Sequence, residues 1–414
     1  MATATRFAAR YRPVSMSGRA SADLLIDAAR LSELVGREVQ ATRLRFKPGL
    51  STTAVLLDTA REVAPHWIQV SHDAHLDKLR NALDRAEERA QRVHLVRTGD
   101  LTIVHGSIDT DPRLQKGLDG LRAVHPFVSE AVTMGDLHVL RYNPLRRLVL
   151  RREVESRDPQ IVRITAHPQR GVRRQLAAYQ AAGVPVIHPD RDHPVAGNKR
   201  VTAWPWFGRG DLSTLVPQDA VALAPAAGAA LGLLHGADVA SDEVTAPADS
   251  LRALVEHLGS LDQVAASRMD RAVTRLEERL GASDWAVGTI HGDFSADQVL
   301  VGREGEDTVR LTDFDRTGCG ALMADLGTFG AAELTHTSSG AHFGGVDSLP
   351  LTGAILTGYA ETPASLLVPP DEGSLRTWVA RALLARATEP FRAGEPDWLE
   401  GIHRRLDQVE AVLR

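Results

Sequence analysis

Residues 289–326 read TIHGDFSADQVLVGREGEDTVRLTDFDRTGCGALMADL. Asp293 follows a His-Gly pair, Gln298 lies five residues on, and Asp313 and Asp315 come after an apolar run. Gln298-Val-Leu-Val301 is a short apolar segment, residues 302–307 are rich in glycine and acids, and Thr308-Val-Arg-Leu-Thr312 alternates. Two short strands joined by a tight turn form a hairpin. A hairpin returns the chain to its starting edge, so Asp293, Gln298 and Asp313 converge. Oxygen ligands for a hard cation together with a carboxylate near an acceptor hydroxyl suit metal-assisted phosphoryl transfer. From the acids alone, a solvated acidic hairpin with a helix cap at Asp293 fits equally well, because Asp and Gly favour turns.

HGDFSADQVL resembles the catalytic loop of the aminoglycoside phosphotransferase and choline kinase-like superfamily, the bacterial phosphotransferase enzyme family. LTDFD resembles its metal-binding segment, and the later ADLG around Asp325 also recurs there. The resemblance implies that Asp293 orients the substrate hydroxyl or accepts its proton, that Gln298 and Asp313 hold magnesium, and that Asp315 is a further candidate ligand. Asn is usual where this chain has Gln298, and sugar kinases resembling maltokinase also carry Gln there. The implied role for Asp325 is to anchor the loop, and for His291 to pack and hydrogen-bond rather than act as a base. The implied fold is α+β: a bilobal protein-kinase-like fold with an antiparallel-sheet N-lobe and a mostly helical C-lobe.

The stretch before the catalytic segment divides into two similar pieces. Arg43-Leu-Arg-Phe-Lys-Pro48, Ala54-Val-Leu-Leu57 and Trp67-Ile-Gln-Val70 precede a helical pattern over 76–91. Val139-Leu-Arg-Tyr-Asn-Pro144, Leu148-Val-Leu150 and Ile161-Val-Arg-Ile164 precede another over 172–182. Both read strand, Pro-containing turn, strand, strand, helix, with Arg45-Phe46 and Arg141-Tyr142 offset by 96 residues. A chance similarity between two meanders is the plain alternative. The expected organisation is an N-terminal α+β cap or duplicated N-lobe-like module over 1–130, the kinase N-lobe over 131–203 and the helical C-lobe over 204–414.

In the second piece, Gly183-Val-Pro-Val-Ile187 resembles the family's exit from the N-lobe helix. The turn Asn143-Pro-Leu-Arg-Arg147 then lies over the nucleotide phosphates. It has no glycine, so Arg146 or Arg147 contacts phosphate there or faces solvent. Alignment puts Arg163 where the phosphate-binding Lys is usual and Gln175 where its Glu partner is usual. Arg keeps the charge and binds oxyanions bidentately, while an Arg–Gln contact is weaker than an ion pair. Residues 199–207 resemble the family's interlobe hinge, which implies that Trp204, Trp206 and Phe207 line an adenine pocket or pack between lobes. Asp211 is positioned to start the next helix.

Helical patterns cover 220–236, 251–280, 378–386 and 398–414, and 330–350 reads as a Gly-, Ser-, Thr- and His-rich loop that includes His336 and His342. No GxxxxGKS or GxxxxGKT motif occurs, which excludes a P-loop kinase. At 414 residues, 43% hydrophobic and 24% charged, the chain suits a soluble globular protein of two or three domains. Net charge −5 gives no argument for nucleic-acid binding, and no run of 18 apolar residues suggests a membrane span. The single Cys319 forms no internal disulfide. Only Lys47, Lys78, Lys116 and Lys199 stand among the 48 basic residues; the rest are Arg.

Residues 1–22 hold Arg6, Arg10, Arg12 and Arg19 and no acid, but lack the apolar core of a secretory signal, so a cytoplasmic location is expected. Together these readings point to an ATP- and magnesium-dependent phosphotransferase acting on a small-molecule hydroxyl, such as an aminoglycoside, amino sugar or sugar. Two alternatives remain: a kinase acting on Ser or Thr of a natural-product precursor peptide, and a nucleotide-binding pseudokinase, which Arg163 and Gln175 favour.

Overall fold

The computed structural model of the chain describes residues 17–59, 64–72, 93–124, 137–154, 158–169, 171–238, 249–306, 308–336, 344–368 and 371–414. The helical pattern expected over 76–91 and His342 lie outside these residues. The fold is α+β. Helices α1 (Ser17–Ile26) and α2 (Ala28–Val35) lead into strands β1 (Val39–Lys47), β2 (Ser51–Asp58), β3 (His66–His72), β4 (Val93–Thr98) and β5 (Leu101–Ser107). They form one antiparallel sheet in the order β1-β2-β3-β5-β4, followed by helix α3 (Gln115–Arg122).

Along β1 the apolar alternation slips by one residue, from Val39 and Ala41 to Leu44 and Phe46. The cause is a register shift between Thr42 and Arg45, with Arg43 at φ 54°. One extra residue in a ladder turns every later side chain to the other face. The second sheet is the antiparallel meander β6 (Leu137–Asn143), β7 (Arg147–Arg152), β8 (Gln160–Thr165) and β9 (Val201–Pro205). It carries a matching shift between Val139 and Arg141, so both first strands bulge at equivalent places. Helix α4 (Val172–Ala181) lies between β8 and β9 in the chain.

The first sheet is buried on both faces. Val55, Trp67 and Val104 share a core with Leu114, Leu118 and Leu121 of the α3 region and with Tyr142, Leu148, Val162 and Ile164 of the second sheet. Leu56, Ile68, Val70 and Ile103 join the core of the helical lobe. Phe46 packs edge-on against Phe391, with ring centroids 6.3 Å apart, and Thr42 Oγ1 donates to the Ala393 carbonyl at 2.9 Å. The N-terminal module is therefore packed into both lobes.

The remainder is mostly helical. After the short β10 (Gly210–Asp211) come α5 (Pro217–His235), α6 (Asp249–Gly259) and α7 (Gln263–Gly281). Strand β11 (Val287–Ile290) pairs with β14 (Gly318–Ala321), and between them β12 (Val299–Val301) and β13 (Val309–Leu311) form the expected hairpin. Asp211 caps a 3-10 turn, its side chain accepting from Ser213 N. Helices α8 (Met323–His336), α9 (Pro350–Ala360), α10 (Glu372–Ala385), α11 (Glu389–Ala393) and α12 (Trp398–Val412) close the chain.

The loop expected over 330–350 is corrected: its first part, Gly330 to His336, is helical. The glycines in this helix serve packing rather than turning. A Cβ at Gly327 would sit 2.5 Å from the Trp378 backbone, and one at Gly330 would sit 3.0 Å from Val379 Cγ2. Helices α5 and α9 cross just as closely. A Cβ at Gly358 would lie 1.8 Å from the Pro225 carbonyl oxygen, and one at Gly228 would lie 2.0 Å from that of Ile355. No helix among the described residues is long and apolar enough to cross a membrane.

Backbone cannot move aside as a flexible side chain can, so Gly358→Ala should force α5 and α9 apart at a cost of about 1–3 kcal/mol. Urea unfolding reads this directly. A midpoint equal to that of the parent would mean the crossing is looser than described.

Candidate active site

The loop after β11 is held by a buried carboxylate. Asp325, in the first turn of α8, has no exposed side-chain surface. Its Oδ2 accepts from His291 N at 2.6 Å and from His235 Nε2 at 3.1 Å, and its Oδ1 accepts from Gly292 N at 2.8 Å. His235 ends α5, and its Nδ1 lies 2.9 Å from the Tyr359 hydroxyl on α9. The close α5–α9 crossing thus places the group that holds the His-Gly-Asp loop. Burial alone would raise the Asp325 pKa, but the His235 hydrogen bond and charge, His291 and the backbone donors outweigh it and hold it below the ordinary value.

Gly292 adopts φ 79°, and a Cβ there would lie 2.2 Å from the Arg316 carbonyl oxygen. That geometry requires glycine in the His-Gly-Asp triplet. His291 Nε2 donates to the Thr312 carbonyl at 2.8 Å, tying the loop to the residue before Asp313. Thr317 Oγ1 donates to the Ile290 carbonyl at 2.7 Å and meets the Tyr179 hydroxyl of α4 at 2.7 Å. Asp293 is one-third exposed, with Arg316 NH1 at 3.4 Å. Gln298 is buried, and its amide nitrogen donates to Asp297 Oδ2 at 3.0 Å, which turns its amide oxygen away from that carboxylate.

Asp313 stands in the left-handed region at φ 57°, aiming its carboxylate at the second sheet. Arg147 NH1 donates to its two oxygens at 3.1 and 3.3 Å and to Asp315 Oδ2 at 3.0 Å. Arg163 donates to Asp315 and lies 3.6 Å from Asp313. Burial would raise the Asp313 pKa, yet the charges of Arg147 and Arg163 and the Arg147 hydrogen bond hold it down. Gln298, Asp313 and Asp315 offer only hard oxygen donors, the type magnesium takes. Among the described residues no three His, Cys, Asp or Glu side chains form a ready cage. Magnesium fits such an open site when substrate phosphates supply further ligands.

The other candidates divide. Arg146 is exposed, and its backbone N–H closes the turn onto the Asn143 carbonyl at 3.1 Å. Arg147 takes the inward place. Strand alternation carries the signal: Leu148 and Leu150 are buried on one face, and Arg147 shares the opposite face with Val149, which pairs with Arg163. The contact expected between Arg163 and Gln175 is replaced. Gln175 Nε2 donates to the Tyr179 hydroxyl at 3.2 Å, one turn along α4. Trp204 is half-buried on β9, its indole donating to Thr202 Oγ1, and Phe207 lies under Arg310, 5.0 Å from the guanidinium. Cys319 is free and half-buried on β14.

Asp111 was not legible in the sequence. It is fully buried in the N-terminal module, and its Oδ2 accepts from the Tyr142 hydroxyl and from Leu145 N, both at 2.8 Å. Leu145 has φ 61°, so this bond fixes the strained turn that presents Arg147.

A sheet lobe that carries paired arginines over a helical lobe that carries a carboxylate-anchored His-Gly-Asp loop defines a kinase-like phosphotransferase. The sequence model of the phosphotransferase enzyme family matches residues 139–361, more than half of the 414, and the chain belongs to that family. Its members' activity makes it a small-molecule kinase with an alcohol group as acceptor. No curated protein matches the sequence significantly. Among solved structures, a choline/ethanolamine kinase family protein from Mesorhizobium loti is 16% identical, covering 73% of this chain and 95% of that one, with TM-score 0.48. Amicoumacin kinase hAmiN is 16% identical, covering 66% and 88%, with TM-score 0.49. Aminoglycoside phosphotransferase APH(4)-Ia is 15% identical, covering 71% and 98%, with TM-score 0.49.

Asp325→Asn should cost about 3 kcal/mol, because a neutral amide cannot satisfy three converging donors. Because the folded pKa of Asp325 is depressed, its stabilisation is complete above the unfolded carboxylate pKa, about 4, and is lost as pH falls below it. Acid unfolding of the parent should therefore be steeper below that range than acid unfolding of Asp325→Asn. Parallel acid profiles would remove the charge from the account.

Proposed function

We propose that the chain transfers the γ-phosphoryl group of ATP to a hydroxyl of a small molecule, with magnesium as cofactor. One observation carries this reading. Arg147 and Arg163, from neighbouring strands of the second sheet, face Asp313 and Asp315 of the helical lobe across a single site. Phosphate oxygens need cationic donors on one side, and a divalent ion needs carboxylates on the other. In this reading residues 131–203 form the nucleotide lobe, residues 204–414 the catalytic lobe, and residues 1–130 a duplicated N-lobe-like cap.

Each residue then has a task. Gln298, Asp313 and Asp315 hold the magnesium, which when bound neutralises charge on the phosphates. Arg147 and Arg163 release their carboxylates in part and turn to phosphate oxygens, where guanidinium binds bidentately. Asp293 orients the acceptor hydroxyl for in-line attack and takes its proton as the new P–O bond forms and the bond to ADP breaks. His291 keeps the loop in register through Thr312. Trp204 and Phe207 border the adenine at the connection between lobes. Gln175 supports α4 through Tyr179, and Arg146 stands exposed at the rim of the site.

Positioning and electrostatics supply most of the catalysis in this chemistry. Asp293→Ala should lower product formation by about 10²–10⁴-fold. Its thermal stabilisation by ATP with magnesium should match that of the parent. Normal turnover by Asp293→Ala removes the assigned role. A parent with no magnesium-dependent ATP stabilisation overturns the reading as a whole.

A further inference from the structure

Arginines crowd the rim of the proposed phosphotransfer site without carboxylate partners among the described residues. Arg43 and Arg45 project from β1, Arg141 and Arg146 from the β6–β7 hairpin, and Arg392 from α11, and all are exposed. Direct contacts bring these elements together. Arg43 NH1 donates to Asn143 Oδ1 at 3.1 Å, and Thr42 Oγ1 donates to the Ala393 carbonyl, beside Arg392. Although its side chain keeps exposed surface, partial desolvation first, then the charges of Arg141, Arg147 and Arg392, lower the basicity of the Arg43 guanidinium. Arg45 is lowered first by burial, then by Arg146, Arg113 and Arg392. The group is continuous with the site through Arg147, which touches Asp313 and Asp315.

Among the described residues none of these rim arginines has a carboxylate partner. Elsewhere the chain neutralises its arginines readily: Arg252 meets Asp270 and Glu277, and Arg268 meets Asp407 and Glu410. The protein as a whole is acidic, with net charge −5, so general basicity does not explain the cluster. Like charges held together raise the free energy of the empty fold, and a bound anion relieves that repulsion. A polycationic acceptor would meet charge of its own sign and be repelled. Arg45 and Arg392 also lie on elements other than the two strands that carry Arg147 and Arg163.

We propose that this arginine rim is the acceptor subsite, and that the acceptor carries an oxyanion group (phosphate, sulfate or carboxylate) besides the hydroxyl that is phosphorylated. This rests on the small-molecule kinase reading. The test is calorimetric titration of the full chain, loaded with AMP-PNP and magnesium, with sucrose octasulfate, sucrose and kanamycin. The expected result is one-to-one binding of the octasulfate and none of the others. Arg45→Glu and Arg392→Glu should each weaken it by about tenfold or more. Arg271→Glu, an exposed charge reversal on α7, should leave it unchanged.

Absent octasulfate binding, indifference to both rim reversals, or kanamycin binding instead would overturn the proposal. So would an equal loss of AMP-PNP affinity in Arg45→Glu and Arg392→Glu, which would assign the rim to the nucleotide. A parent that fails to bind AMP-PNP sinks the kinase reading alone, since octasulfate titration of the unloaded chain still reports on the rim.

Discussion

The Asp325 carboxylate, sealed from solvent, is the interaction on which the helical lobe depends. Three donors converge on it, two from the backbone of the His-Gly-Asp loop and one from His235. A buried charge persists only where such partners satisfy it, and removing one leaves the rest uncompensated. The loop conformation, the end of α5 and the start of α8 are thereby fixed relative to one another. Tyr359 extends the arrangement to α9, and the glycines at the α5–α9 crossing let the two helices come close enough for His235 and Tyr359 to meet. Packing between helices far along the chain from the His-Gly-Asp loop thus sets where Asp293 stands.

The second sheet contributes the opposite charge. Arg147 and Arg163 lean on Asp313 and Asp315, and their cations keep the Asp313 carboxylate ionised despite its burial. Arginine suits this position better than lysine would, because one planar fork reaches two carboxylates at once. The turn that offers Arg147 has no glycine to relax it. It is held instead by Asp111, whose carboxylate takes the Leu145 N–H and the Tyr142 hydroxyl. A rigid, externally braced turn thus presents Arg147 without a glycine.

Much of this was legible in residues 289–326, because the site there is local in sequence. The His-Gly-Asp loop, the hairpin and the Asp313–Asp315 segment follow one another within a few dozen residues, and turn chemistry marks each boundary. The choice between Arg146 and Arg147 was also readable, since alternation with Leu148 and Leu150 sends Arg147 to the inner face. Asp111, His235 and Tyr359 were not readable in these roles: each is a single residue whose partner is distant in the chain. The segment beginning at Gly330 misled for a physical reason. Glycine and small residues signal a loop when only local propensity counts, but in α8 they allow backbone contact with Trp378 and Val379. The bulge at Arg43 likewise breaks an alternation that no simple period follows.

The N-terminal module shares one core with the second sheet and another with the helical lobe. In an ordinary two-lobed enzyme the angle between lobes is a soft coordinate, and closing it on a ligand consumes part of the binding energy. Here the spacing of the lobes is decided when the chain folds, since opening them would peel apolar surface from both faces of a single sheet. A ligand that binds between the lobes would therefore meet a preorganised arrangement, gain less from induced closure, and lose less entropy on entry. Selectivity in such a molecule would come from the shape and charge of the preset surfaces rather than from which ligand can pull the lobes together.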